Sequence, residues 1–203
     1  MLWTTPRAQD EAFKALTYIR TAVDKVHRYS TFSALSGFWA CIAALIGSGV
    51  CGIFPDWPGA SPAQGPKFLQ VWITVWFVAT MGQFGFTFLK ARSRGESFFS
   101  PIAVTALTVL AGPFLAGGLG TVAFWKAGQF ALMPGLWLTL YGCGLYAVSY
   151  FAPIFLRVFG LVFMALGFAA WMTGPEMAAL WLGLGFGGLH AVFGAMVLAR
   201  YRK

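Results

Sequence analysis

The chain has 203 residues, 59% of them hydrophobic and only 10% charged, whereas a soluble domain carries about a quarter charged residues. Its net charge of +8 does not mark a nucleic-acid binder, because the basic residues cluster at the ends of apolar runs, where Lys and Arg set membrane orientation. Apolar runs of about 20 residues cross roughly 30 Å of hydrocarbon, so the composition predicts one all-α membrane domain with no separate soluble domain.

In chain order, residues 8–28 come first. Ala12, Leu16, Ile19, Val23 and Val26 recur at three- and four-residue steps, which predicts an amphipathic helix on the cytoplasmic surface. The same stripe would also suit another protein's helix. His27 closes this segment beside Arg28 and reads as an interfacial residue. The long mixed-charge start does not resemble a cleavable signal peptide, so insertion is expected through the spans themselves.

The first span covers about 32–54 and carries Gly37, Ala40, Ala44 and Gly47 as a small-residue face for close helix contact. The Pro- and Gly-rich run Asp56–Pro66 predicts a loop. The second span, about 68–89, has Trp72 and Trp76 near its start and Gln70 and Gln83 as its polar points. Ser100-Pro101 opens the third span, about 102–125, with proline in the first helical turn. Pro113, within the run Gly112–Gly120, predicts a kink or break in that helix. Broken helices of this kind line binding sites in transporters, although Gly and Pro are common in ordinary spans.

Pro134-Gly135 starts the fourth span, about 136–151, with Tyr141, Tyr146 and Tyr150 along it. A tight turn at Ala152-Pro153 leads into the fifth, about 154–172, with Arg157 one turn in and expected to snorkel to the interface. The sixth span is about 178–199. Gly183, Gly187, Ala191 and Ala195 fall four apart there as a packing ridge, with Gly194 and His190 on the same side. Six spans with both termini inside place every basic residue except Lys67 and Lys126 in cytoplasmic segments, as the positive-inside rule requires.

The supply of chemistry is thin. All six acids lie outside the spans, and no catalytic or phosphate-binding motif occurs, so an enzyme is not expected. Cys41 and Cys51 are about 15 Å apart along one helix, beyond disulfide reach; with Cys143 they read as small packing residues. His190 is the one titratable group expected at membrane depth, and the only cofactor-binding candidate. Its plainest role is an imidazole bonded across a helix interface. A bis-histidine haem site fails on depth, since His27 precedes the first span, which leaves only a single axial histidine. The 21 Phe and 9 Trp suit lipid contact and core, or a pocket for a quinone, carotenoid or lipid.

The run Pro134-Gly135-Leu136-Trp137-Leu138-Thr139-Leu140-Tyr141-Gly142-Cys143-Gly144 resembles an LPGxWLLLYGxG motif. Phe163–Gly167 and Gly185–His190 look like later blocks of the same family, and Glu11-Ala12 with Ser30–Gly37 look like its N-terminal block. That family comprises small bacterial six-span membrane proteins with no assigned activity. The resemblance implies the bacterial inner membrane and no catalytic residues. The expected function is therefore an accessory or scaffold subunit, or a self-associating bundle, with lipids and other membrane helices as partners. A small transporter or hydrophobic-ligand binder is the alternative, and a haem-bearing redox subunit the third.

Overall fold

A computed structural model describes residues 6–27, 33–52, 64–95 and 97–201. Long apolar segments must satisfy every backbone polar group internally to cross lipid, and here each does so as a helix. The helices are α1 (Pro6–His27), α2 (Ala34–Gly52), α3 (Gly65–Ser93), α4 (Pro101–Lys126), α5 (Met133–Val148) and α6 (Phe155–Met172). The sixth span is composite: a 3₁₀ turn Pro175–Met177, α7 (Ala178–Leu182), a π-helical segment Gly183–Leu189 and α8 (His190–Tyr201). Six helices are long and apolar enough to span a membrane, so the architecture is an all-α six-span bundle. No strand occurs among the described residues.

Proline and glycine set several of the boundaries. Pro66 sits in the first turn of α3, where its missing N–H costs nothing, so the helix starts at Gly65 inside the expected loop. The Ser100 hydroxyl accepts a 3.3 Å hydrogen bond from the Ala103 N–H and caps α4 just before Pro101. Beyond α4, Gly128 adopts φ +68°, which only glycine takes readily. Pro113 does not break α4, which runs unbroken past it. Its ring lies against α5, where a Cβ on Gly144 would sit 3.8 Å from it. A continuous helix of this kind survives a proline when the freed carbonyl and the ring are accommodated locally.

Two close helix pairs organise the bundle. α5 and α6 form the most extensive contact. A Cβ on Gly142 would lie 2.6 Å from the Gly160 carbonyl, and one on Gly160 would lie 2.7 Å from the Gly142 carbonyl. The two backbones therefore touch directly, as small-residue interfaces allow in lipid. The sixth span packs along α2 in the same way. A Cβ on Gly37 would lie 3.1 Å from the Gly194 Cα, and one on Gly183 would lie 2.9 Å from the Ser48 Oγ. α3 packs on α2 and also reaches α5 and the sixth span through its Phe68–Trp137 and Trp72–Phe186 ring contacts, and α4 packs chiefly on α5. Tryptophan fills what the glycines leave open. The Trp39 indole covers Gly82 and donates a 2.9 Å hydrogen bond to the Val78 carbonyl. Trp171 covers Gly135 and donates to the Leu132 carbonyl at 3.0 Å.

The core falls into two apolar clusters. One surrounds Phe68, Trp72, Leu138, Phe163 and Leu182, and the other surrounds Val148, Leu156, Phe159, Phe193 and Val197. Leu145 and Leu189 pack against both. α1 forms as a helix, with Phe13, Leu16 and Ile19 all more than half exposed. Lys14 and Asp10 pair at 2.8 Å one turn apart on its surface.

Candidate functional site

His190 stands where the two core clusters meet. The Tyr141 hydroxyl of α5 and the His190 Nε2 are 3.0 Å apart. The imidazole also lies beside the Gly185 and Phe186 carbonyls, while its Nδ1 has no partner in hydrogen-bonding geometry among the described residues. The Tyr141 O–H donates to Nε2 when the imidazole proton is on Nδ1, and the roles reverse in the other tautomer. Around the pair, Phe163 is 4.8 Å and Phe186 5.3 Å from the Tyr141 ring, centroid to centroid. Phe114 of α4 approaches the same ring edge-on at 6.4 Å.

A cavity of about 50 Å³ opens beside this pair, lined by Gln83, Tyr141 and His190 among apolar residues of α5, α6 and the sixth span. Room for a water needs on the order of 10–15 Å³, whereas sites for drug-sized ligands run to about 300–1,000 Å³. The cavity therefore suits water or a comparably small polar molecule. It does not fit a porphyrin, a quinone or a carotenoid. The Nε2 that would ligate a haem iron is engaged here by the Tyr141 hydroxyl. His27 lies at the end of α1, and its side chain falls outside the described residues.

The π-helical segment explains why His190 faces this way. In a regular α-helix a residue seven positions after Gly183 would drift only about 20° from it and join the small-residue ridge. The wider turn of Gly183–Leu189 rotates the helix beyond it, and the ring contacts of His190 come from α5 and α6 instead. The ridge is redrawn too. Gly183, Gly187 and Gly194 meet α2, whereas Ala191 is half-buried and Ala195 exposed. Single-turn π segments recur at functional sites, and here one ends immediately before His190, the only described histidine within a span.

Pro113 and His190 are not brought together as one binding site, since Pro113 does not line the cavity. Tyr141 and Gln83 were noted in the sequence as polar span residues but not as members of a site. Their signal was mid-span polarity: Tyr141 lies midway along α5, and Gln83 is well inside α3.

Three other polar features are accounted for by packing. The Arg157 guanidinium lies 4.8 Å from the Tyr150 ring centroid and 5.8 Å from that of Tyr146, and its Nε donates to the Ser149 Oγ at 3.4 Å. It is thus held over two aromatic faces at the α5–α6 turn. Cys51 is fully buried in the core, and the Cys143 Sγ is 3.6 Å from the Met164 Sδ between α5 and α6. No cluster of three or more potential metal ligands occurs among the described residues.

No protein-family model, curated protein or solved structure matches the chain.

Proposed function

We propose that this protein is a non-enzymatic accessory or scaffold subunit of a membrane assembly, engaging a partner span or a second copy through α4. What carries the reading is the unused packing capacity of that helix. The apolar window of α4 has no buried residue at all, and a Cβ at Gly112 or Gly118 would meet nothing within 4 Å. Glycines in spans are characteristic of helix–helix contacts, and those of α5 and α6 are used within the chain. The absence of acids from the spans supports a non-catalytic role. The distribution of Lys and Arg supports both termini facing the cytoplasm, and the motif resemblance supports a bacterial inner membrane. The exposed apolar stripe of α1 is read as lying on the cytoplasmic leaflet.

Cysteines placed at Gly112 and Gly118 should cross-link to a partner span in native membranes. Gly118→Leu should abolish the assembly in mild detergent while leaving monomer stability within about 0.5 kcal/mol, as for a surface change. A monomer in native mass spectrometry with no cross-linked partner would sink the proposal.

A second reading has one specific observation behind it. The Gln83–Tyr141–His190 cavity presents polar groups inside an apolar bundle, where such groups mark pathways for small polar species more often than chance placement would. On this reading the species is water-sized and uncharged, because no carboxylate, Lys or Arg lines the cavity to balance a charge.

A further inference from the structure

Lys67 and Lys126 are the two basic residues that break the charge pattern of the chain. Both fall at one place in the fold. Lys67 is in the first turn of α3 and Lys126 in the last turn of α4, and their chain neighbours Pro66 and Trp125 line the same groove of about 310 Å³. Its other described wall residues are Leu69, Gln70, Ile73 and Thr74 of α3.

A lysine in the first turn of a helix opposes the macrodipole, whose positive end is already there. Neither lysine is paired with a carboxylate among the described residues. Two exposed lysines, each next in sequence to a wall residue, and the positive end of α3 thus flank one apolar furrow. Trp125, 53% exposed, stands at the depth where indoles meet lipid headgroups. The groove also has polar groups of its own: the Gln70 side chain is exposed, and the Thr74 hydroxyl donates to the Gln70 carbonyl at 2.8 Å.

We propose that this groove between the start of α3 and the end of α4 binds an anionic phospholipid. One acyl chain lies along Leu69, Ile73 and Trp125, and the phosphate sits between the Lys67 and Lys126 ammonium groups. Gln70 is placed to donate to an ester carbonyl of the same lipid. The charge selects the headgroup and the furrow selects a chain-bearing molecule over free phosphate. This site is independent of the α4 contact with a partner span, which uses Gly112 and Gly118 rather than the groove.

The test uses the full chain in mild detergent, with native mass spectrometry read after addition of phosphatidylglycerol or phosphatidylcholine of identical acyl chains. Phosphatidylglycerol should be retained on the order of tenfold more than phosphatidylcholine, given two basic contacts near the surface. Lys67→Gln with Lys126→Gln should erase the preference, and Lys67→Arg with Lys126→Arg should keep it. Both lysines are exposed, so folding is checked by an unchanged thermal transition in detergent alone. Thr74→Trp, which fills the furrow, should reduce retention of both lipids. Equal retention of the two lipids would overturn the proposal, as would a preference that survives the double glutamine variant. Full displacement by millimolar inorganic phosphate would show that the acyl furrow contributes nothing and would overturn it too. A double glutamine variant that changes oligomeric state but not lipid retention would assign the groove to a partner helix instead.

Discussion

The Tyr141–His190 hydrogen bond joins two side chains from different spans inside an apolar interior. Interhelical hydrogen bonds in membranes average about 0.6 kcal/mol and reach about 1.7 kcal/mol. Tyr141→Phe keeps the ring and its contacts with Phe163 and Phe186, so it should cost about 0.6–1.7 kcal/mol in a detergent-unfolding titration. His190→Ala should cost more, because it also removes a ring packed against Phe163 and Phe186. The double variant should fall short of the sum, since one bond cannot be lost twice. Full additivity would show that the 3.0 Å contact contributes nothing to stability. At this scale the sequence was half legible. His190 stood out because a histidine inside a span must find a partner. Nothing in local sequence says which partner, because Tyr141 is 49 residues away and a mid-span tyrosine serves equally well as core.

At the scale of the helix, the interfaces are set by where a side chain cannot fit. Gly142→Ala would drive a methyl into the Gly160 carbonyl, and since both walls are backbone, α5 and α6 must separate. That overpacking should cost about 1–3 kcal/mol and lower the thermal midpoint of the purified protein. Gly85→Ala, where nothing lies within 4 Å, should be neutral or stabilising by up to about 1 kcal/mol through helix propensity. Similar costs at the two sites would mean that α5 and α6 do not touch backbone to backbone. Span positions were readable from apolar length and proline punctuation, because lipid enforces both. The Pro113 break and the straight ridge of the sixth span were not, for related reasons. Each was inferred from a helix taken alone. A proline can be absorbed by a glycine on the neighbouring helix, and a π turn changes the phase of every later residue in its span.

For the whole molecule, the charge pattern makes a definite claim about sidedness. Gln129→Cys, just beyond α4, should react with a membrane-impermeant maleimide on intact cells. Ser93→Cys, at the end of α3, should react only after the membrane is opened. Both positions are exposed, the native Cys41 and Cys51 are buried and Cys143 lies mid-span against Met164, so background labelling should be low. The reverse pattern would invert the topology. The helix count was legible because every span must be apolar over its full length. The arrangement of the spans was not, because any helix with a small-residue face can pair with any other in lipid.

That arrangement has a consequence for how the protein is made. Of the six spans α2 emerges first during synthesis, yet its principal partner besides α3 is the sixth. Until Gly183, Gly187 and Gly194 arrive, the small-residue face of α2 has only lipid or α3 to meet. Assembly of the bundle is therefore held back until the sixth span enters the membrane. A chain stopped after α6 keeps the α5–α6 pair and its aromatic contacts with α3, such as the Phe68–Trp137 stack at 6.0 Å, but loses the helix that ties α2 to the rest. Such a fragment should be a substrate for membrane quality control, with a half-life in cells well below that of the chain through Tyr201.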